Sequence, residues 1–170
     1  MEELDAPLGV YYIEGNHECM VDGTLDLYGH INKSSITLLL DRGVVLNDEF
    51  VLVGRGDYSN PRMTVSRILQ KMGFDKDYKY IVLDHQPVNY SNLLAECEPD
   101  PCLVLSGHTH GGQLFPVNYM TNFILSHEDE LMYGEKTING THFVVSSGAT
   151  GGVAPLKNMT VSEIVVIELH

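Results

Sequence analysis

The chain has 170 residues, which is the length of one domain with a single sizeable core. Its ten basic and 23 acidic residues give a formal net charge of −13 at pH 7. This balance argues against the basic face with which proteins bind nucleic acids or anionic membranes. A phosphate group bound here therefore needs positive charge from something other than Lys and Arg, and a metal ion is the obvious candidate.

Targeting and redox features are sparse. The sequence contains no run of about 18 apolar residues, which a transmembrane helix would need. It also has no basic segment followed by an apolar one, which a signal peptide would show. The three cysteines are an odd number and do not suggest a disulfide framework. We expect a cytoplasmic location for this chain and a single domain over residues 1–170.

The first part of the chain is predicted to alternate strands with a helix. Gly9–Ile13 is rich in aromatic and β-branched residues and predicts a strand. The stretch Tyr28–Leu40 is expected to be helical. Val44–Leu46 and Phe50–Val53 are expected to form a hairpin that turns at Asn47-Asp48.

Helical spacing returns in the middle of the chain. Apolar residues from Val65 to Met72 follow the pattern of one helix face, and Gly73 would end that helix. Tyr80–Leu83 predicts a short buried strand. Ser91 is expected to cap a brief helix that runs through Ala95.

The last part of the chain is predicted to be mainly strands. Leu103–Leu105 reads as a buried strand, and Thr137–Val145 as a hairpin that turns at Asn139-Gly140. Glu163–Leu169 is nearly all β-branched and predicts a final strand. Strands that alternate with helices indicate an α/β fold, with antiparallel additions from the hairpins.

Three of the predicted strands end in polar residues that can bind a metal. The strand ends are followed by Gly15-Asn16-His17-Glu18, by Asp84-His85-Gln86-Pro87 and by Gly107-His108-Thr109-His110. In α/β sheets, ligand sites form beyond the carboxyl ends of strands. Imidazole and amide oxygen are suitable ligands for Mn, Fe or Zn. We therefore expect the three loops to converge on one metal site.

The same residues have other interpretations. A lone histidine is more often a surface or core residue than a ligand, and Gly15-Asn16-His17 taken alone could be a simple turn. The known zinc motifs fit worse, because neither His-Glu-x-x-His nor the Pro-Cys-x-x-Cys of zinc deaminases is present.

The motifs resemble those of the calcineurin-like metallophosphoesterase superfamily. Gly15-Asn16-His17-Glu18, His85 and Gly107–His110 match the second half of its pattern, and Leu105–Gln113 is similar to a bacterial branch of predicted phosphohydrolases. The resemblance implies a sandwich of two mixed β-sheets flanked by helices. The Asp-x-His and Gly-Asp-x-x-Asp motifs that open the pattern do not precede Gly15. The fold is therefore expected to lack its N-terminal strands.

The resemblance also implies roles for individual residues. It makes Asn16, His85 and His108 ligands of one metal and His110 a ligand of a second metal. It makes His17 the residue that protonates the leaving oxygen, with Glu18 orienting His17. The complete enzyme would hold two divalent transition metals such as Mn, Fe or Zn.

The function implied is metal-dependent hydrolysis of phosphate monoesters or diesters by an activated water. Because part of the pattern is absent, this chain alone is expected to be weakly active or inactive. The alternative is a non-catalytic remnant that binds metal or a partner protein. The expected partners are a phosphate-ester substrate and, through an open sheet edge, a second copy of the chain. The resemblance also leaves open a membrane anchor in the full-length protein.

Overall fold

The structure is a computed structural model that describes residues 6–20, 24–74, 78–113, 129–151 and 161–169. Its strands, in chain order, are β1 (Val10–Tyr12), β2 (Ile36–Leu38), β3 (Arg42–Leu46), β4 (Phe50–Gly54), β5 (Lys79–Leu83), β6 (Leu103–Ser106), β7 (Gly134–Ile138) and β8 (Thr141–Val145). Its α-helices are α1 (Asn16–Met20), α2 (Thr24–Ile31), α3 (Val65–Met72) and α4 (Tyr90–Ala95), and a 3-10 turn covers His110–Gly112.

The strands form two sheets. A six-stranded mixed sheet has the order β3-β4-β5-β6-β8-β7, and β1 pairs with β2 in a small parallel sheet. In the large sheet β4, β5, β6 and β8 are parallel, whereas the hairpin strands β3 and β7 are antiparallel to their neighbours. The carboxyl ends of the four parallel strands therefore lie along one edge, as the predicted site requires.

Both faces of the large sheet are apolar. One face packs against the two later helices through a cluster that includes Val82, Phe143 and, from α3, Ile68. The other face carries a smaller cluster around Leu52 and Ile81, against which residues of the β1 segment pack. Burial on both faces explains why β4 and β5 read as continuous apolar runs rather than alternating ones. The predicted α/β fold with a mixed sheet flanked by helices is confirmed.

Local turn chemistry confirms the two hairpins and α3. Asn47 and Asn139 both have positive φ, of 45° and 52°, as the tight hairpin turns require. Thr64 caps α3 by accepting a hydrogen bond from the Arg67 backbone N–H. Gly73 ends the helix with a φ of 69°, a conformation that favours glycine.

The predicted helix over Tyr28–Leu40 is confirmed only as far as Ile31 and is wrong beyond it. Helix α2 ends at Ile31, and Ile36–Leu38 forms β2 instead. The Ser34 hydroxyl donates to the Ile31 carbonyl and accepts from the Ile36 N–H, which replaces the helical hydrogen bonds at this point. The β-branched residues that follow are then free to pair with β1.

Two predictions in the later part of the chain are also wrong. Ser91 does not cap α4, because the helix begins at Tyr90 after Asn89, and the Ser91 hydroxyl donates instead to the Asp129 carboxylate. Glu163–Leu169 contains no strand in the structure. The Glu163 N–H donates to the Gly148 carbonyl oxygen, but the described residues show no ladder of strand hydrogen bonds to this segment.

Candidate functional site

Two adjacent strands bring His85 and His108 together. β5 and β6 are parallel neighbours, with Leu83 in register with Leu105, so the residues that follow each strand leave the sheet side by side. The Gly107 N–H donates to the His85 carbonyl over 3.1 Å and joins the two loops. The two imidazole rings meet edge to face with centroids 5.0 Å apart.

Asn16 comes from the other sheet. It follows β1 and is the first residue of α1. Its Oδ1 lies 3.1 Å from His85 Nε2 and 3.0 Å from His108 Nδ1, and these two ring nitrogens lie 3.2 Å apart. Three side chains from three loops and two sheets therefore point three potential donor atoms at one small volume.

The backbone of the Gly107–His110 loop is strained at both histidines. His108 has a φ of 66° and His110 a φ of 50°, in a region that non-glycine residues rarely adopt. Each such residue costs about 1–3 kcal/mol and persists where the surrounding structure imposes it, which is common at functional sites. The glycines that follow, Gly111 and Gly112, also have positive φ. The histidines themselves share that conformation.

Gly15 allows the His85 ring to approach the backbone. A Cβ atom at this position would lie 2.7 Å from His85 Nε2, closer than real Cβ contacts.

The Gly15 N–H donates to a Glu18 carboxylate oxygen over 2.7 Å, which closes the turn into α1. Burial and the Glu18 carboxylate together raise the pKa of Tyr12 to about 12. Glu18 thus anchors the loop that carries Asn16.

Burial favours the neutral form of the two central imidazoles. Burial lowers the pKa of His85, and the carboxylates of Asp57 and Glu18 oppose this effect only partly. Burial and the neighbouring His85 lower the pKa of His108. Neutral imidazole is the form that binds a metal ion.

The remaining predicted site residues lie around this centre. His17 is exposed on α1, next to Asn16. His110 begins the 3-10 turn, and its Nδ1 lies 3.1 Å from the Thr150 carbonyl oxygen.

The three donor atoms fit a single metal ion. Two donors bound to one ion at about 2.1 Å lie about 3.0–3.4 Å apart for octahedral to tetrahedral angles. The distances of 3.0, 3.1 and 3.2 Å between the donor atoms of Asn16, His85 and His108 agree with this range. The described part of the chain holds no cluster of three or more His, Cys, Asp or Glu side chains suited to a metal. Here the third donor is an amide oxygen, so water or anions would complete the shell.

Two buried carboxylates beside this centre were missed by the sequence analysis. Asp57 is fully buried and accepts hydrogen bonds from Gln86, the residue after His85. Glu14 is 6% exposed; it accepts a hydrogen bond from the Asp57 N–H and one from the Tyr28 hydroxyl. Asp57 follows the carboxyl end of β4, so its place after a buried strand was a usable signal.

A buried ion-pair cluster supports the loop around His85. Asp84 accepts from Arg55 at 3.1 Å and from Arg62 at 2.7 Å, and Arg55 also reaches Glu96 at 3.0 Å. Arg55 is only 4% exposed, so the cluster is shielded from solvent at its centre.

A family model described as calcineurin-like phosphoesterase matches residues 1–112. Similar proteins include an uncharacterized metallophosphoesterase of Aquifex aeolicus, 28% identical over 99% of this chain and 64% of its own length. One from Helicobacter pylori is 30% identical over 99% of this chain and 45% of its own length. A Bos taurus protein named transmembrane protein with metallophosphoesterase domain is 30% identical over 68% of this chain and 29% of its own length.

The chain spans between about a third and two thirds of the length of the first curated relatives that it matches. No solved structure matches it. Among the residues that the structure describes, no helix is long and apolar enough to cross a membrane.

Proposed function

The chain belongs to the calcineurin-like phosphoesterase family, and on this premise we propose that it forms part of an enzyme that hydrolyses phosphate monoesters or diesters with a divalent metal held by Asn16, His85 and His108. The observation that carries the proposal is the convergence of their three donor atoms to within 3.2 Å of one another. A second ion would use His110 as one of its ligands. Mn, Fe and Zn all suit these donors.

Within this proposal the chain's own groups have distinct tasks. A bound divalent ion supplies positive charge and lowers the pKa of a coordinated water. His17 is exposed beside Asn16, where it can hold the proton that the leaving oxygen receives. Glu18 keeps Asn16 and His17 in place by accepting the Gly15 N–H and closing the turn that starts their helix.

We further propose that residues 1–170 form one domain of a longer protein. The curated relatives are longer than the part of them that the chain covers. Two of them are named as transmembrane proteins, which favours a membrane-anchored full-length protein. We also propose that the chain self-associates, because Ile164 and Val166 expose apolar side chains, at 87% and 83%, within one short segment.

Metal binding tests the site directly. Titration of the metal-free chain with Mn²⁺ in a calorimeter is expected to show binding that His85→Ala abolishes. His30→Ala is the matched control, because His30 is exposed on α2 and pairs with Asp26. If His30→Ala removes binding and His85→Ala does not, the site assignment is wrong.

Hydrolysis separates the enzyme from a non-catalytic remnant. Nitrophenyl phosphate and its diester are suitable substrates, assayed with Mn²⁺ both for this chain and for the full-length protein. In the full-length protein, His17→Ala is expected to lower the rate of hydrolysis about 10²–10⁴-fold, the usual contribution of general acid–base catalysis, with metal content unchanged. A full-length protein that is loaded with metal and yet inactive on both ester classes would support the remnant.

A further inference from the structure

Asp57 is a buried carboxylate without a stated role in the proposed reaction. It lies three residues after the end of β4, on the sheet edge from which His85 and His108 also emerge. Its exposed fraction is 0%. Burial of a carboxylate is costly unless hydrogen bonds and a positive charge compensate for it.

The hydrogen bonds of Asp57 come from neutral donors. The Gln86 amide nitrogen donates to both carboxylate oxygens, at 2.9 and 3.1 Å, and the Ser59 N–H donates at 2.9 Å. The nearby Glu14 adds a second buried carboxylate, which accepts the Asp57 N–H at 3.4 Å. These donors to the Asp57 carboxylate carry no full positive charge, and the nearby Arg62 guanidinium donates instead to the Gly56 carbonyl and to Asp84.

The position of Asp57 relates its charge to the metal donors. Its carboxylate is buried on the sheet edge from which both His85 and His108 emerge. Its bonds to Gln86 also hold the loop segment directly after His85. A cation bound between the two imidazoles would be attracted by the buried carboxylate of Asp57. This electrostatic attraction does not require contact between the carboxylate and the ion.

We propose that Asp57 is a positioning residue of the metal site: its carboxylate holds the His85 loop through Gln86 and strengthens cation binding at Asn16, His85 and His108 without touching the ion. This inference rests on the proposed function. Partners of this kind, outside the ligand shell, typically change metal affinity by about 10–100-fold when they are removed.

Asp41 provides a matched control. Its carboxylate anchors the same loop by accepting the Gly56 and Met63 N–H groups, both at 2.9 Å. These hydrogen bonds of Asp41 do not involve Gln86, whose side chain is held by Asp57. The φ of 47° at Asp41 suits asparagine as well as aspartate. Asp41→Asn therefore perturbs the loop anchor while leaving the contact between Asp57 and Gln86 in place.

The test compares Asp57→Asn with Asp41→Asn in the metal-free chain. Calorimetric titration with Mn²⁺ gives the dissociation constants, and thermal unfolding in EDTA and in Mn²⁺ gives the metal-induced rise in the midpoint. We expect Asp57→Asn to weaken Mn²⁺ binding about 10–100-fold and to reduce that rise. We expect Asp41→Asn to lower the midpoint equally in both conditions and to leave the affinity within about threefold of the wild type.

A double variant separates charge from shape. In Asp57→Asn with Gln86→Glu, the amide and the carboxylate exchange places, so the negative charge and a hydrogen bond between the two side chains are restored. We expect this variant to recover most of the lost affinity. If Asp57→Asn alone does not fold, the double variant still tests whether the charge of Asp57 strengthens metal binding.

Each outcome decides the proposal. Wild-type affinity in folded Asp57→Asn overturns it while the proposed metal site stands. Three other outcomes would assign Asp57 a purely structural role and would also overturn the proposal. They are an equal loss of affinity in Asp41→Asn, no recovery of affinity in the double variant, and failure of both Asp57 variants to fold. Absence of Mn²⁺ binding to the wild type overturns the proposed metal site itself and the role of Asp57 with it.

Discussion

Gly15→Ala tests whether the close approach of His85 to the backbone matters for the site. The added Cβ would lie 2.7 Å from His85 Nε2 and 2.8 Å from Cε1, whereas ordinary contacts begin at 3.4 Å. The ring therefore has to move by about 0.7 Å. Because Nε2 is the proposed donor atom, a displacement of this size breaks the match between the three donors.

The expected effect is a loss of affinity rather than of stability. We expect Mn²⁺ to bind about 10–100-fold more weakly, which corresponds to about 1.4–2.7 kcal/mol. The displacement of the His85 ring costs some stability in the folded state. Replacing glycine by alanine also restricts the unfolded chain, which offsets about 0.4–1 kcal/mol of that cost, so the unfolding midpoint in EDTA should change little. Calorimetric titration and thermal unfolding measure the two quantities.

Gly107→Ala is the control for this prediction. Gly107 lies beside His108, yet a Cβ atom there would have no neighbour within 4 Å. The same chemical change at the same site should therefore leave Mn²⁺ affinity within about threefold of the wild type. Wild-type affinity in Gly15→Ala, or an equal loss in Gly107→Ala, would refute the reasoning.

Two further predictions concern stability. Arg55→Met removes the buried cation that pairs with Asp84 and Glu96. It should cost about 3 kcal/mol in urea unfolding, and a loss below about 1 kcal/mol would contradict this. Glu163→Gln should lower the thermal midpoint at neutral pH, because hydrogen bonds from the Ser147 N–H and the Tyr133 hydroxyl lower the pKa of the Glu163 carboxyl from 4.5. That stability is present above the unfolded pKa and is lost as pH falls through the folded pKa, so the two proteins should converge in acid and a constant difference would be inconsistent with it.

Local signals in the sequence predicted much of the fold. Both hairpins and α3 were predicted because their turn and cap residues, such as Asn139 and Gly73, specify the backbone by short-range chemistry. The helix predicted over Tyr28–Leu40 failed because β2 forms only through pairing with β1, a partner distant in sequence. The strand predicted over Glu163–Leu169 failed for the converse reason, since β-branched composition cannot supply a pairing partner.

The candidate site divides in the same way. The sequence predicted that the loops carrying Asn16, His85 and His108 converge, because each follows a strand. It did not predict that the loop of Asn16 comes from a separate sheet. Asp57 was missed as a partner of the site because its contact with Gln86, across 29 positions, follows no short-range pattern.

The spacing of the three donors along the chain has a consequence for biosynthesis. Asn16 is separated by 69 positions from His85 and by 92 from His108. Chain segments so far apart meet late, because closing long loops costs entropy before any contact offsets it. A ribosome-bound chain lacks the donor set until His108 has emerged and β5 and β6 have paired. The proposed site can therefore take up a metal only after that point, so the ion that it binds would reflect which metals are available to a chain whose parallel strands have already paired.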